Sequence, residues 1–100
     1  MILMKYRSST EIIDDILRSL DSGTTRTRIM YKAYLSYSQL KEYLSLLEER
    51  RLLRYEEDLQ IYMITERGIR FMNAYDEIRE LVSGSVREEG LLQPNLISSR

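Results

Sequence analysis

The stretch between Thr25 and Arg51 constrains this chain most, because two helix starts follow each other there with almost no connecting chain. Thr25 is placed to cap a short helix over about Arg26 to Ala33, in which Ile29, Met30 and Ala33 face inward. Tyr34 and Leu35 are left for the turn, and Ser36 opens a second helix that runs to about Arg50. Ser36 and Gln39 have the spacing of a capping box, in which side chain and backbone satisfy each other's orphan N–H groups. At about 100° per residue, Leu40, Leu44 and Leu47 share a narrow arc with Tyr37 and Tyr43 on its edges. Ser38, Glu42, Ser45 and Glu49 point the opposite way. Lys41 and Glu48 lie on one flank, Gln39 and Leu46 on the other. This is a helix-turn-helix with one apolar face and one polar face.

The flanking segments supply the rest of a small domain. Ser8 and Glu11 form another capping box, starting a helix near Ser8 or Ser9 whose Ile12, Ile13, Ile16, Leu17 and Leu20 make one apolar stripe. Asp21-Ser22-Gly23 stops it. Beyond the helix-turn-helix, Leu52–Glu56 and Ile61–Ile64 carry the β-branched and aromatic residues that strands favour, with 57–60 as the turn. Thr65 then caps a helix over about Glu66 to Val82. Its Phe71, Tyr75, Ile78 and Val82 follow the four-three-four spacing of a coiled-coil seam. Ile69, Met72 and Leu81 lie off that seam, so part of the helix is expected to pack on the preceding domain. Ser83-Gly84-Ser85 is expected to end the helix, leaving a tail that holds Pro94 and the apolar Leu91, Leu92, Leu96 and Ile97. The expected fold is mainly α with a small β-hairpin: a winged helix-turn-helix of three helices and a two-stranded wing over 1–65, a dimerisation helix over 66–82, and a tail of unassigned order over 83–100.

The residues present exclude much chemistry. With no Cys and no His, there is no thiolate zinc site, no cysteine nucleophile and no imidazole base or ligand. Asp14 and Asp15 are adjacent, so on a helix their side chains splay about 100° apart, the wrong geometry for a shared cation; Asp14 instead suits an ion pair with Arg18 one turn on. Gly23, Gly68, Gly84 and Gly90 are isolated, and no phosphate-binding loop is present. The expectation is a non-enzyme without cofactor or metal. No apolar run approaches the roughly 18 residues of a membrane span, and Met1–Met4 is too short for a signal peptide's apolar region. Neither a membrane partner nor export is expected, and the cytoplasm, with the nucleoid, is the expected compartment.

Charge indicates where a partner would bind. The chain nets −1 with a pI near 5.5, unlike a generic polyanion binder. Between Thr24 and Tyr55, however, seven basic residues (Arg26, Arg28, Lys32, Lys41, Arg50, Arg51 and Arg54) face three acids, Glu42, Glu48 and Glu49, so this stretch nets +4. The expected partner is double-stranded DNA. Arg26, Arg28 and Lys32 would meet phosphates at the entry to the helix-turn-helix. Tyr31, Tyr34 and Tyr37 would add hydroxyl donors around the turn, unless their rings belong to the core. Base reading would fall to the start of the second helix, at Ser38, Gln39, Lys41 and Ser45, unless Gln39 serves only its capping box; Ser36 is counted with them as a DNA-binding residue. Glu42 accepts from a cytosine amino group, or, as the better reading, stands in solvent or serves as an intrahelical partner near Lys41. Glu56, Glu57 and Asp58 make the hairpin tip acidic, leaving Arg54 as the better backbone contact there. A second function class, a protein–protein module without DNA binding, accounts for the acidic tip and the outward Glu residues.

The run Thr27-Arg28-Ile29-Met30-Tyr31-Lys32-Ala33-Tyr34-Leu35-Ser36-Tyr37, followed by Leu40-Lys41-Glu42-Tyr43-Leu44, resembles archaeal winged-helix proteins whose founding members are small, chromatin-associated and DNA-binding. Leu52-Leu53, Tyr62-Met63-Ile64-Thr65-Glu66-Arg67-Gly68, Phe71 and Tyr75 follow the same pattern, so the resemblance spans Ser8 to Val82. It implies a homodimer joined by an antiparallel coiled coil of the last helix, acting in transcription regulation or DNA organisation. Two departures stand out. Arg50-Arg51 replaces the Gly usual before the first strand, and a 17-residue last helix would span only about 25 Å.

Overall fold

The computed structural model describes residues 7–86, with side chains through residue 83. The order is α1 (Ser9–Ser19), α2 (Arg26–Lys32), α3 (Tyr37–Glu49), β1 (Leu53–Glu56), β2 (Ile61–Ile64) and α4 (Glu66–Val86). Each helix start follows from a polar side chain in the expected place. Ser8 with Glu11 and Ser36 with Gln39 close complete capping boxes at α1 and α3, and Thr25 accepts the Arg28 N–H at α2. At α4 the Thr65 hydroxyl accepts from the Gly68 N–H at 3.1 Å and donates to the Arg51 carbonyl at 2.6 Å, tying helix start to strand start.

α2 and α3 end in the same way. Leu35 N–H bonds Met30 C=O and Tyr34 N–H bonds Tyr31 C=O; Leu52 N–H bonds Leu47 C=O and Arg51 N–H bonds Glu48 C=O. Both are Schellman motifs, whose C′ residue must be left-handed and is usually Gly. Here Tyr34 (φ 55°) and Arg51 (φ 60°) fill that position. The absence of Gly before β1 therefore changes the residue and not the turn.

The core is built from the first three helices and the hairpin: Ile12, Ile16, Leu17 and Leu20 of α1 and its cap, Ile29 and Ala33 of α2 and its cap, Leu35 of the turn, Leu40, Leu44 and Leu47 of α3, and Leu53 and Tyr62 of the hairpin. The hairpin pairs Leu53 with Ile64 through Glu56 with Ile61. A third strand position, unexpected from the sequence, is Thr24, which exchanges both backbone hydrogen bonds with Tyr62 and so pins the entry of α2 to the hairpin.

α4 departs most from expectation. It passes through Ser83-Gly84-Ser85 to Val86, and 21 residues span about 31 Å. A lone Gly lowers helix propensity by about 1 kcal/mol relative to Ala without forbidding the helix, so the expected stop was too strong a reading. Phe71 and Met72 pack on the domain core, and Gly68 sits where a Cβ would collide with the Leu52 carbonyl oxygen and Ile64. Farther along, Ile78, Leu81 and Val82 are exposed. The tail expected beyond residue 86, with Pro94 and its apolar residues, lies outside the described residues.

Candidate nucleic-acid interface

Because α3 buries Leu40, Leu44 and Leu47, its polar residues Ser38, Lys41, Glu42, Ser45, Glu48 and Glu49 face outward. The end of α2, the turn and the first residue of α3 add three large exposed rings: Tyr31, Tyr34 and Tyr37 are 71%, 83% and 57% exposed. The alternative that these rings belong to the core is therefore excluded. Tyr34 is also held in the left-handed region, which costs a residue with a Cβ roughly 1–2 kcal/mol. Its carbonyl accepts from the Arg7 guanidinium at 2.9 Å, and Arg7 is itself paired with Asp15 at 2.8 Å. This brace ties the turn to α1. It joins residues 27 apart in sequence, and no local spacing announces it.

The cations divide into held and unheld. Lys32 pairs with Asp21 at 3.2 Å, and Arg54 with Glu56, so both carry a local countercharge. Arg26 donates to the Tyr62 hydroxyl at 3.0 Å, with its guanidinium carbon 6.0 Å from the ring centroid. That contact raises the Arg26 pKa further, chiefly through the hydrogen bond. Lys41 lies 5.7 Å from the Tyr37 ring centroid. Arg26, Arg28 and Lys41 have no carboxylate within ion-pair distance among the described residues. The positive surface is thus narrower than the basic count between Thr24 and Tyr55 implies.

At the start of α3, Ser36 Oγ accepts from the Gln39 N–H at 3.2 Å and Gln39 Oε1 accepts from the Ser36 N–H at 3.0 Å. Gln39 keeps only its amide NH₂ for an outside partner. Ser38 and Ser45 are exposed, and Glu42 has neither a hydrogen bond nor an ion pair among the described residues. At the hairpin tip, Glu57 and Asp58 are exposed beside Leu59. The structure thus brings Arg26, Arg28, Tyr34, Ser36, Tyr37, Ser38, Gln39, Lys41 and Ser45 onto α2, α3 and their turn, and sets Lys32 and Arg54 in ion pairs. Arg7 and Tyr62, which sequence reasoning missed, orient two parts of this surface from outside it.

No group of three or more acidic side chains suited to a metal occurs among the described residues, and no described helix is long and apolar enough to cross a membrane. Comparison with known proteins agrees with the geometry. Residues 6–83 match the winged helix-turn-helix family. Among solved structures the chain is similar to Sso10a-2, described as a DNA-binding protein from Sulfolobus solfataricus. The two share 31% identity at a TM-score of 0.69, over 78% of this chain and 84% of that one. No curated protein sequence gives a match. Three helices, a two-stranded hairpin and a long last helix, matched over 6–83, establish that the chain belongs to the winged helix-turn-helix family.

Proposed function

We propose that this chain binds double-stranded DNA, placing the first two turns of α3 in the major groove, and that it works as a homodimeric transcription regulator or DNA-organising protein without catalytic activity. The observation that carries the reading is the surface around the α2–α3 turn: exposed Tyr31, Tyr34 and Tyr37 with Arg26, Arg28 and Lys41, which form no ion pair among the described residues. Protein–DNA contacts to phosphate come mainly from Arg, Lys and hydroxyl side chains, and a helix fits the major groove. Ser38, Gln39 and Ser45 are the residues left to reach base edges. The likeness to a DNA-binding protein supports the same reading. Association with the nucleoid follows from it, and dimerisation rests on the exposed apolar side chains of α4.

The competing reading is a protein-binding module. It is favoured by the outward Glu42, Glu48 and Glu49 of α3 and by the acidic hairpin tip, all of which repel phosphate. A duplex-binding titration across a salt series separates the two. Log affinity should fall linearly with log salt, by about 0.9 per phosphate neutralised. Arg28→Ala should weaken binding to all sequences and lower that slope, whereas Gln39→Ala should change sequence preference. No duplex binding at low salt refutes the DNA reading.

A further inference from the structure

Arg26, at the first position of α2, stands beside a cleft of about 230 Å³ whose other walls are Lys41, Leu44, Ser45 and Glu48 of α3 and Tyr62 of β2. The Tyr62 ring is buried, at 3% exposure, and its backbone is fixed on both sides, by Thr24 and by Tyr55. Its hydroxyl is therefore a fixed point. It accepts one of the five N–H donors of Arg26 at 3.0 Å, which leaves most of the guanidinium fork unpaired. Across the cleft, Lys41 and Ser45 are one helical turn apart on α3, and the Ser45 hydroxyl has no hydrogen-bond partner among the described residues. Two cations that form no ion pair among the described residues and a free hydroxyl, with Glu48 the one carboxylate in the lining, border a space that holds one small oxyanion and a few waters of about 30 Å³ each, and have the chemistry of a phosphate seat.

We infer that this cleft seats one backbone phosphate of bound duplex DNA, gripped by Arg26, Lys41 and Ser45, and that Tyr62 is the positioning residue that holds Arg26 in place. The assignment rests on the proposed DNA binding and specifies one contact within it. Glu48 fits as a limit on the seat. It lies two turns beyond Lys41 on α3, about 10 Å along the helix axis, so repulsion by its carboxylate favours the Lys41 end for the phosphate. An arginine that must present its fork to a phosphate gains from being oriented beforehand, because less side-chain entropy is lost on binding. Tyr62 supplies that orientation from the wall of the cleft.

Duplex titrations of the full chain over a salt series test this. Tyr62→Phe keeps the ring and the strand, and its helix content should match the wild type by circular dichroism. It should weaken duplex binding by roughly two- to tenfold, the range one hydrogen bond is worth. Arg26→Ala should weaken binding more and lower the salt slope by about 0.9. In the Arg26→Ala background, Tyr62→Phe should have no further effect, an outcome that a general structural role for the hydroxyl would not give. Glu48→Gln should tighten binding. If the wild type binds duplex and Tyr62→Phe binds equally well, the seat is overturned while DNA binding stands. If inorganic phosphate alone binds tightly and duplex affinity is indifferent to Arg26, the cleft belongs to a free phosphate ester and this assignment fails. If the wild type binds no duplex at low salt, the DNA reading fails and the seat with it.

Discussion

Arg18 of α1 binds two carboxylates at once, Asp14 one turn earlier at 2.7 Å and Asp76 of α4 at 2.5 Å, and so joins the helix-turn-helix domain to the helix that leaves it. The two arms are unequal. The Asp14 side chain is 4% exposed, and its second oxygen has no partner; Asp76 is 50% exposed. Both arms raise the Arg18 pKa, the Asp14 hydrogen bond most, so the guanidinium stays charged at every pH at which the fold persists. Arg18→Met would strand a buried carboxylate. Its expected cost is about 2 kcal/mol, below the range for a wholly buried pair because Arg18 itself is 42% exposed. Asp76→Asn should cost less than about 1 kcal/mol, as exposed pairs do. Urea denaturation of both variants checks the order, and equal losses would mean that the arm to α4 carries the stability.

Tyr75 gives a pH dependence on the same contact between α1 and α4. Its ring stacks on Phe71 at 6.3 Å and is half-buried. Burial raises its pKa above the ordinary value, and the charges of Glu11 and Asp14 add to the rise. A phenol whose pKa is raised by folding favours the native state while it is neutral. That contribution is complete below the unfolded value of about 10 and is lost as pH climbs through the higher folded value. The unfolding free energy of the wild type should therefore fall more steeply than that of Tyr75→Phe between roughly pH 9 and 11. Parallel curves for the two proteins would refute this.

Two of the four left-handed non-glycine residues, Tyr34 and Arg51, separate structural strain from a binding role. Arg51 and Tyr34 occupy equivalent turns at φ 60° and 55°, so replacing either with Gly relieves a similar strain. Each replacement should stabilise the fold by about 0.5–1 kcal/mol, the relief being partly offset by the greater freedom of Gly in the unfolded chain. Their effects on DNA binding should then diverge. Tyr34→Gly removes an 83% exposed ring from the proposed interface and should weaken binding severalfold, while Arg51→Gly, beyond the far end of α3, should leave it nearly unchanged. Thermal melts and duplex titrations on the same samples read both quantities. If Tyr34→Gly gains stability and loses no affinity, the tyrosine has no part in binding.

What was legible in the sequence was local. Capping boxes at Ser8 and Ser36, the inward Leu40-Leu44-Leu47 arc and the Ile61–Ile64 strand all depend on neighbours within a turn or two, so spacing alone placed them. The Ser83-Gly84-Ser85 stop was misread because a local propensity was treated as decisive where the helix had already propagated through many hydrogen bonds. Partners across the fold were not legible. Nothing near Arg26 points to Tyr62, nothing near Tyr34 to Arg7, and nothing near Arg18 to Asp76. A count of basic residues makes one patch of them, whereas Lys32 and Arg54 are paired with Asp21 and Glu56.

The proposed dimer seam is likewise narrower than its spacing implies. Phe71 and Tyr75 are partly covered by their own domain, whereas Ile78 is 58% and Leu81 73% exposed. Burying each of those two aliphatic side chains against a second copy is worth roughly 1.5–3 kcal/mol, and introducing a carboxylate there would reverse the gain. The wild type is expected to sediment at twice its 12.0 kDa chain mass, and Ile78→Asp to sediment as a single chain with unchanged helix content. Phe71→Asp should instead reduce helix content, because Phe71 packs on the domain core. A proposed dimer that places two α3 helices on one duplex adds the second contact at high effective concentration. Ile78→Asp should therefore lose duplex affinity by about a hundredfold or more with every side chain of the proposed interface intact. A single-chain mass for the wild type at micromolar concentration would remove the homodimer from the proposed function and leave a chain that acts alone.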